Sequence, residues 1–256
     1  MNYMIIRGLC SDTREYSELG STNEELNRLL DLEDLEEGIV IRAGYQRTGK
    51  GYQGNSWLSE PDKNLLFSIL LKPGSLHVEN VFHISRIVSL SIIEVLDKQE
   101  IRAYIKWPND IFTASGKICG ILIENRIISD RISHSVIGVG LNVNQEDFNS
   151  SIPFPTSLFL EKECHFDMKT LLEDFRTALG SLYQALLSGN QERIMAEYLE
   201  RLYLLGQPYR FSDGRSEFIA SIKDVLPGGE LELLLNDSEI RRYGFKEIEY
   251  MGPGSY

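Results

Sequence analysis

The sequence predicts an α+β fold in which a larger unit, residues 1–205, precedes a small antiparallel β-domain, residues 206–256. Residues 64–72 are apolar on both faces, as expected of a central strand that is covered on each side. Residues 81–96 repeat apolar side chains at steps of three and four, which indicates a helix long enough to cross that sheet. After Gly206 the pattern changes to short alternating strands separated by glycine-containing turns, which predicts the second domain.

The first helix is predicted to begin near Ser21 or Thr22. Either residue can cap its amino terminus, and an acidic residue follows three positions on, as in a capping box. Asp167 is the expected cap of a helix that runs to Gly189. The other predicted elements are strands at 38–42, 102–106, 117–124 and 133–143, the last two forming a hairpin across 125–131, a helix at 191–204, and strands at 209–212, 218–225, 230–235 and 240–250.

Composition places the chain among ordinary soluble globular proteins, with 42% hydrophobic and 25% charged residues. A net charge of −12 argues against a general nucleic-acid binder, which needs clustered lysine and arginine. The apolar start is interrupted at Arg7, and no apolar run reaches the length of a membrane span. We therefore expect a cytoplasmic protein without a membrane partner.

Cysteine and histidine spacing predicts neither a disulfide framework nor a metal site built from protein ligands. Cys10, Cys119 and Cys164 are widely spaced and odd in number, which suggests reduced thiols. The four histidines show none of the spacings by which imidazoles bind zinc.

Residues 43–57 form a glycine-rich loop between two predicted strands. Four glycines let the backbone approach a ligand closely, and Arg47 and Lys50 add positive charge. The loop fits most of the P-loop motif, but Gly51 stands where that motif needs Ser or Thr to hold Mg2+. We predict a phosphate-binding loop of another kind, with a turn that binds no ligand as the alternative.

Three further polar clusters lie at the ends of predicted elements, so they are expected to meet at one edge of the sheet and form a pocket. Taken singly, each has a simpler interpretation: a helix cap for the first, a surface ion pair of Lys106 and Asp110 for the second, and a hairpin charge at Lys117 for the third. The clusters are Ser21-Thr-Asn23, Lys106-Trp-Pro-Asn-Asp110 and Gly116-Lys117-Ile-Cys-Gly120.

Together and in this order, the clusters resemble the biotin–protein ligase family, in the short form that lacks an amino-terminal DNA-binding domain. The Lys-Trp-Pro-Asn-Asp stretch, followed within ten residues by Gly-Lys-x-x-Gly-Ile-Leu, is the most specific part of the resemblance. The matching motifs are Ser21-Thr-Asn-Glu24, Tyr45-Gln-x-x-Gly-Lys-Gly-x-x-Gly-x-x-Trp57, Lys106-Trp-Pro-Asn-Asp110, Gly116-Lys-x-x-Gly-Ile-Leu-Ile-Glu124 and Ile137-Gly-Val-Gly-Leu-Asn-Val143.

The resemblance implies a fold related to that of class II aminoacyl-tRNA synthetases: a mixed sheet with helices packed mainly on one side, then a small β-barrel domain. It also implies a reaction in two steps. Biotin and ATP, with Mg2+, give biotinyl-5′-adenylate and pyrophosphate. A lysine of the biotin carboxyl carrier domain of a carboxylase, such as acetyl-CoA carboxylase, then attacks the adenylate. Only about twenty residues precede Ser21, so we expect no DNA-binding role.

The resemblance also implies roles for single residues. Lys117 is expected at the biotin carboxylate and α-phosphate, Lys50 at the phosphates, and Asp110 at the incoming lysine, with Lys106 in the same catalytic set. Residues 246–250 resemble only loosely the segment that closes over ATP in some relatives, so they receive no catalytic role. The expected binding residues are Ser21, Thr22, Gln46 and Gly120 for biotin, Trp57 by stacking and Asn142 by hydrogen bonding for adenine, and Asn23, Gly49, Gly51 and Tyr52 beside them.

Tyr52 stands where many relatives carry arginine in the glycine loop, and Lys50 replaces a second arginine. Lysine keeps the charge but loses the bidentate fork of arginine, and tyrosine keeps neither. We predict that this protein holds biotinyl-adenylate less tightly than a Tyr52→Arg variant does. The dissociation rate of the adenylate tests this, and a rate no faster than that of the variant would contradict it.

Two alternatives stay open. A lipoate ligase or octanoyltransferase shares the same catalytic fold, and an octanoyltransferase needs a nucleophilic cysteine, for which Cys119 beside Lys117 is the candidate. An apolar strand disfavours a thiolate, so we expect Cys119 to be a core residue. The second alternative is a protein that binds a ligand on this scaffold without catalysis.

Overall fold

The computed structural model describes residues 9, 12–51, 56–235 and 238–251. Seven strands form one sheet in the order β1-β2-β3-β7-β6-β5-β4. β1 and β2 are parallel and every other neighbouring pair is antiparallel, so the sheet is mixed, as predicted. The strands are β1 (Thr13–Leu19), β2 (Val40–Gln46), β3 (Asn64–Leu71), β4 (Tyr104–Lys106), β5 (Asp110–Phe112), β6 (Lys117–Ile128) and β7 (Arg131–Asn142).

Helices cover the two faces of this sheet unequally. The long helices α2 and α4 pack on one face around the main hydrophobic core, and α5 packs against α2. α1 lies on the other face, above a small apolar cluster that includes Leu26 and Leu70. The prediction of helices mainly on one side is confirmed. The helices are α1 (Thr22–Leu30), α2 (Phe82–Lys98), α3 (Leu158–Lys162), α4 (Met168–Leu187) and α5 (Gln191–Glu200).

Strand alternation decides which residues face α1. In β3, Phe67 and Ile69 belong to the main core, so Ser68 between them points to the face of α1. In β7, Val139 and Leu141 belong to that core, which puts Gly138 and Gly140 on the opposite face. This face therefore has a strip that carries no side chains.

A second, antiparallel sheet follows, in the order β11-β10-β9-β8-β12. The small antiparallel unit after residue 205 was predicted, but the single strand expected over 240–250 was wrong: a turn at 244–248 divides it. The domain boundary at 205/206 stays a prediction. The strands are β8 (Pro208–Ser212), β9 (Glu217–Val225), β10 (Leu231–Leu235), β11 (Ile240–Tyr243) and β12 (Glu249–Tyr250).

Polar side chains of the larger unit attach the second sheet. Arg86 of α2 is buried and donates to the carbonyl oxygens of Val225 (2.5 Å) and Leu226 (2.9 Å). Trp107 Nε1 donates to the carbonyl oxygen of Gly229 at 2.9 Å. Because all three carbonyls lie at the β9–β10 turn, this turn is fixed against α2 and against the segment between β4 and β5.

Most predicted elements are present, and the boundaries show where local pattern was insufficient. Asp167 accepts a hydrogen bond from Thr170 N at 2.8 Å, which confirms it as a cap. Ser21 occupies the N-cap position of α1, but its side chain makes no capping hydrogen bond. The β6–β7 hairpin is longer than predicted, because β6 continues to Ile128. No helix in the described part of the chain has the length and apolar character of a membrane span.

Candidate active site

A cavity of about 650 Å³ lies above the strip without side chains, between the start of α1 and the second sheet. The structure brings twelve of the fourteen predicted site residues to its walls: Ser21, Thr22, Asn23, Gln46, Lys50, Gly51, Trp57, Lys106, Asp110, Lys117, Gly120 and Asn142. Tyr52 lies outside the described residues. The cavity is within the size range of small-molecule and cofactor sites.

Gly49, the remaining predicted residue, closes the base of the glycine loop and does not line the cavity. Its carbonyl oxygen accepts a hydrogen bond from Trp57 N at 2.8 Å, which joins the two ends of the loop. A Cβ at this position would lie 2.6 Å from the carbonyl oxygen of Trp57. Glycine is therefore required here by the close approach of two backbone segments.

A buried polar network holds the start of α1 against the sheet. Gln46 Oε1 accepts hydrogen bonds from Thr22 N at 2.7 Å and from Thr22 Oγ1 at 3.1 Å. The Ser68 hydroxyl donates to Asn23 Oδ1 at 2.6 Å and lies 2.7 Å from Thr22 Oγ1. The predicted biotin-binding residues Thr22 and Gln46 are thus pre-positioned by one another, so a ligand meets groups that are already oriented.

The floor of the cavity is formed by Gly120 and Gly140, which face each other across β6 and β7. The indole of Trp57 rests on both glycines. A Cβ at Gly120 would lie 2.7 Å from Trp57 Cζ3, and one at Gly140 would lie 2.5 Å from Trp57 Cε2. The aromatic ring therefore lies against the wall predicted for biotin, and its stacking on adenine stays a prediction.

Asn142 presents an unused hydrogen-bond acceptor in the wall. Its Nδ2 donates to the carbonyl oxygen of Thr156 at 2.9 Å, which fixes the orientation of the amide. Its Oδ1 is buried without a partner among the described residues. A buried acceptor without a partner costs free energy, so this site favours a ligand that brings an N–H donor, as the amino group of adenine would.

The charged centre of the cavity is an ion pair between Lys117 and Asp110. Lys117 Nζ lies 2.7 Å from Asp110 Oδ1, and about a quarter of each side chain is exposed. The backbone of Lys117 is held by hydrogen bonds to the loop after β7, at Phe154 O (2.7 Å) and Thr156 N (2.9 Å). The ammonium is thus fixed inside the cavity. This does not fit the simpler interpretation of Lys117 as a charge on the surface of a hairpin.

Lys106 lies beneath this pair and is buried, so the alternative of a surface ion pair is wrong for it. Its Nζ lies 4.9 Å from the ring centroid of Phe112 and 5.0 Å from that of Tyr250. Burial lowers the pKa of Lys106 to about 8, with Asp110 opposing the change and Lys117 adding to it. The side chain places a second positive charge close to the pair of Lys117 and Asp110.

Lys50 lies at the mouth of the cavity. Its Nζ is 2.6 Å from Glu24 Oε1, and half of each side chain is exposed. The hydrogen bond and charge of Glu24 raise the pKa of Lys50, so its ammonium stays protonated at neutral pH. Exposed ion pairs of this kind contribute little to stability, which leaves Lys50 able to exchange Glu24 for an anionic ligand.

Sequence reasoning missed two groups of lining residues. The first group carries no motif, and the second has only a loose resemblance to a segment of some relatives. Both reach the cavity because distant segments pack together. A signal that could have indicated a structured loop is the set of prolines and aromatic residues between β7 and α3, which the sequence analysis did not use. The missed residues are Phe148, Ser151, Ile152, Pro153 and Pro155 of that loop, and Lys246, Ile248, Glu249 and Tyr250 of the second sheet.

Cys119 is a core residue, as expected. It is fully buried on the face of β6 opposite to Gly120, and burial raises the pKa of its thiol. Among the described residues, no three histidine, cysteine, aspartate or glutamate side chains are close enough to hold a metal ion together.

Sequence comparison extends the motif resemblance. Residues 17–142 match the biotin/lipoate A/B protein ligase family. The bifunctional ligase/repressor BirA of Escherichia coli is 29% identical over 241 residues, which cover 90% of this chain and 71% of that protein. BirA of Bacillus spizizenii is 28% identical over 144 residues, or 56% of this chain. The matched part spans only 43% of the length of the Bacillus protein.

Structural comparison finds the fold of this chain in a solved structure. The biotin protein ligase from Aquifex aeolicus, determined in complex with biotin and ATP, has a TM-score of 0.78 at 24% identity. The match covers 93% of this chain and 98% of the Aquifex chain, so both sheets are included. Residues 17–142 therefore match the biotin/lipoate A/B protein ligase family, and the chain shares the fold of the Aquifex protein.

Proposed function

We propose that this protein is a biotin–protein ligase. It activates biotin with ATP as biotinyl-5′-adenylate, releasing pyrophosphate, and transfers biotin to a lysine of a carrier domain, releasing AMP. The acceptor is the biotin carboxyl carrier domain of a biotin-dependent carboxylase. The protein acts in the cytoplasm without DNA or a membrane as a partner.

The charge of the cavity carries this proposal. Its described walls contain four lysines (Lys50, Lys106, Lys117 and Lys246) against two carboxylates, those of Asp110 and Glu249. The whole chain has the opposite balance, with 26 basic and 38 acidic residues. A positive cavity inside an acidic protein suits a strongly anionic ligand, and a nucleoside triphosphate beside a carboxylate is such a ligand.

In the first step, an oxygen of the biotin carboxylate attacks the α-phosphorus and pyrophosphate leaves. The two substrates are both anions, so the enzyme must offset their repulsion while it aligns them. Lys117 sits at the centre of the cavity and stabilises the negative charge that grows on the α-phosphate oxygens. Lys50 at the mouth binds the outer phosphates, and Lys106 adds positive charge from below.

In the second step, the acceptor amine attacks the biotinyl carbonyl and AMP leaves. A lysine ammonium must lose a proton before it is nucleophilic. Asp110 is the carboxylate at the centre of the cavity, and we assign it to orient the incoming ammonium and accept its proton. Thr22 and Gln46 hold the ureido end of biotin, while Asn142 accepts the N–H of adenine.

We expect Mg2+ to enter with the triphosphate. The described residues fit a metal site built by the protein alone poorly, because they form no cluster of three metal-binding side chains. Magnesium commonly keeps several waters and binds mainly through substrate phosphates, so it does not need such a cluster of protein ligands. Bound there, it would neutralise phosphate charge.

Release of pyrophosphate tests the proposal. The purified chain is mixed with ATP and with one of three acids: biotin, lipoate or octanoate. A biotin carboxyl carrier domain is then added, and its mass is measured by mass spectrometry. We expect pyrophosphate and a biotin adduct only in the biotin mixture. Activity with lipoate or octanoate alone would favour the related ligases of the same fold, and binding of biotin without pyrophosphate would indicate a non-catalytic protein.

Replacement of Cys119 separates adenylation from a thioester route. A Cys119→Ala variant is expected to keep nearly all of the wild-type turnover, because the thiol faces the core and burial disfavours its thiolate. Turnover and circular dichroism are measured on the same samples. Complete loss of turnover in a folded variant would support an acyl-enzyme on Cys119.

A further inference from the structure

Glu124 ends the motif that begins at Gly116, but it is not among the described residues that line the cavity. Its exposed side chain lies beside α1, where Glu124 Oε2 accepts hydrogen bonds from Asn23 Nδ2 at 2.9 Å and from Asn27 Nδ2 at 3.2 Å. The two asparagines are four positions apart on the helix, so they face β6 from the same side. One carboxylate thus joins β6 to α1 through two amides.

The amide of Asn23 lines the cavity, yet the protein engages it at both ends. Its Nδ2 donates to Glu124 and, at 3.4 Å, to the carbonyl oxygen of Leu122. Its Oδ1 accepts from the hydroxyl of Ser68 at 2.6 Å. The amide lies over Gly138, where a Cβ would be 2.5 Å from Asn23 Oδ1. The surroundings of Asn23 are therefore shaped to hold its side chain in one place.

The carboxylate of Glu124 decides which way round this amide lies. A carboxylate and a carbonyl oxygen only accept hydrogen bonds, so the amino group of Asn23 must face them. The amide oxygen then faces Ser68, whose hydroxyl has one hydrogen and donates it to that oxygen. A reversed amide would set its oxygen against the carboxylate. Glu124 therefore fixes the direction in which Ser68 donates.

The same count of hydrogens fixes the hydroxyl of Thr22. Its oxygen lies 2.7 Å from Ser68 Oγ and 3.1 Å from Gln46 Oε1. The hydrogen of Ser68 is already donated to Asn23. Gln46 Oε1 accepts from Thr22 N at 2.7 Å, so it too faces Thr22 as an acceptor. The single hydrogen of Thr22 is therefore directed to one of these two protein atoms, and Thr22 Oγ1 presents only lone pairs to the cavity.

We propose that Glu124 and Asn23 are positioning residues that hold Thr22 Oγ1 as a hydrogen-bond acceptor for an N–H of the ureido ring of biotin. This inference rests on the proposed function and adds to it the cause of the polarity of that contact. A ligand oxygen in place of the N–H would meet a lone pair of Thr22, and both acceptors would be buried without a hydrogen between them.

Loss of the carboxylate reverses this order. The amide of Asn23 can then turn round and donate to Ser68, and Ser68 can donate to Thr22. The hydrogen of Thr22 becomes free to turn toward the cavity, so the site no longer selects an N–H. A carboxylate at the surface thus determines, through a chain of hydrogen bonds, which ligand atoms the cavity accepts.

Biotin analogues with altered rings test the proposal by steady-state release of pyrophosphate. In two such analogues, an oxygen atom replaces one or the other ureido N–H. The wild-type protein is expected to prefer biotin to one of them by on the order of a hundredfold in kcat/KM. In Glu124→Ala this preference falls about tenfold and KM for biotin rises between about two- and tenfold, the loss of an oriented hydrogen bond, while KM for ATP changes little.

Two further variants separate positioning from a general loss of structure. Glu124→Gln keeps an oxygen that accepts from Asn23, so its preference and its KM for biotin stay near the wild-type values. Asn23→Ala has the same effect as Glu124→Ala, and the double variant is no worse than Asn23→Ala alone, because both residues act through one chain of hydrogen bonds. Circular dichroism confirms that each variant is folded.

Asn27→Ala is the matched control, because Asn27 donates to the same oxygen of Glu124 from the same helix, at an exposed position and without a bond to Ser68. It should leave the preference and both KM values unchanged. An unchanged preference in folded Glu124→Ala, an equal loss in Asn27→Ala, or equal use of biotin and both analogues by the wild type would overturn the positioning role, while wild-type turnover still supports the ligase. Absence of pyrophosphate from the wild-type protein with biotin and ATP would instead refute the proposed function itself.

Discussion

Replacing Lys117 by glutamine is expected to lower kcat for pyrophosphate release by between about a hundred and a thousandfold. That is the usual cost of removing one group that stabilises transition-state charge. Lys117 is the lysine paired with Asp110 at the centre of the cavity, and its backbone is fixed by the loop after β7. Single-turnover formation of the adenylate measures the effect without a contribution from product release.

A matched control for this variant is Lys162→Gln. Lys162 also pairs with a carboxylate, that of Glu100, and its side chain is exposed to nearly the same extent, 29% against 27% for Lys117. It does not line the cavity. The control should keep wild-type kcat. If a folded Lys117→Gln variant forms the adenylate within a few-fold of the wild-type rate, Lys117 is not the stabilising group.

Replacing Arg86 by alanine is expected to lower the free energy of unfolding by about 3 kcal/mol. Its guanidinium is buried between α2 and the second sheet, where it satisfies the carbonyl oxygens of Val225 and Leu226 and stacks over the rings of Phe82 and Tyr198. The variant removes the donor to Val225 O and one of two donors to Leu226 O, which keeps its bond from Gly229 N at 2.9 Å, and it leaves a void. Removal of a costly buried cation offsets part of this loss. Urea unfolding measures the difference.

Arg193→Ala provides the comparison, since Arg193 is an exposed arginine that pairs with Glu197 one helical turn away. Its removal should shift the urea midpoint little. A midpoint for Arg86→Ala close to that of Arg193→Ala would mean that the second sheet is held by other contacts. A lower m-value in Arg86→Ala would indicate that the sheet separates before the rest unfolds.

The parts of the fold that were predictable have strong local patterns. β3 is apolar on both faces, and α2 and α4 keep helical spacing over several turns, so periodicity alone located them. β1 was missed because most of its side chains are polar or half-exposed, and it is a strand only through pairing with β2. β5 has three residues, too few for any period to show.

The residues of the site also fall into those that local pattern predicted and those that it did not. Motif residues were found because each motif combines unusual residue types within a few positions, and the structure brings most of them to one cavity. Lys246 received no role, because the segment resembles relatives only loosely and the alternating residues around it read as one continuous strand. The turn that presents Lys246 depends on Phe245 packing against Trp107, a residue more than a hundred positions earlier.

The glycine floor limits how this site can diversify. Any side chain at Gly120 or Gly140 would put a carbon within 2.7 Å of the Trp57 ring, so variation there is incompatible with the present architecture. The rim has no such restriction, because it is built from exposed side chains such as Lys50 and Lys246. Descendants of this chain are therefore free to change the charged groups at the rim of the cavity while the platform formed by Gly120, Gly140 and Trp57 stays unchanged.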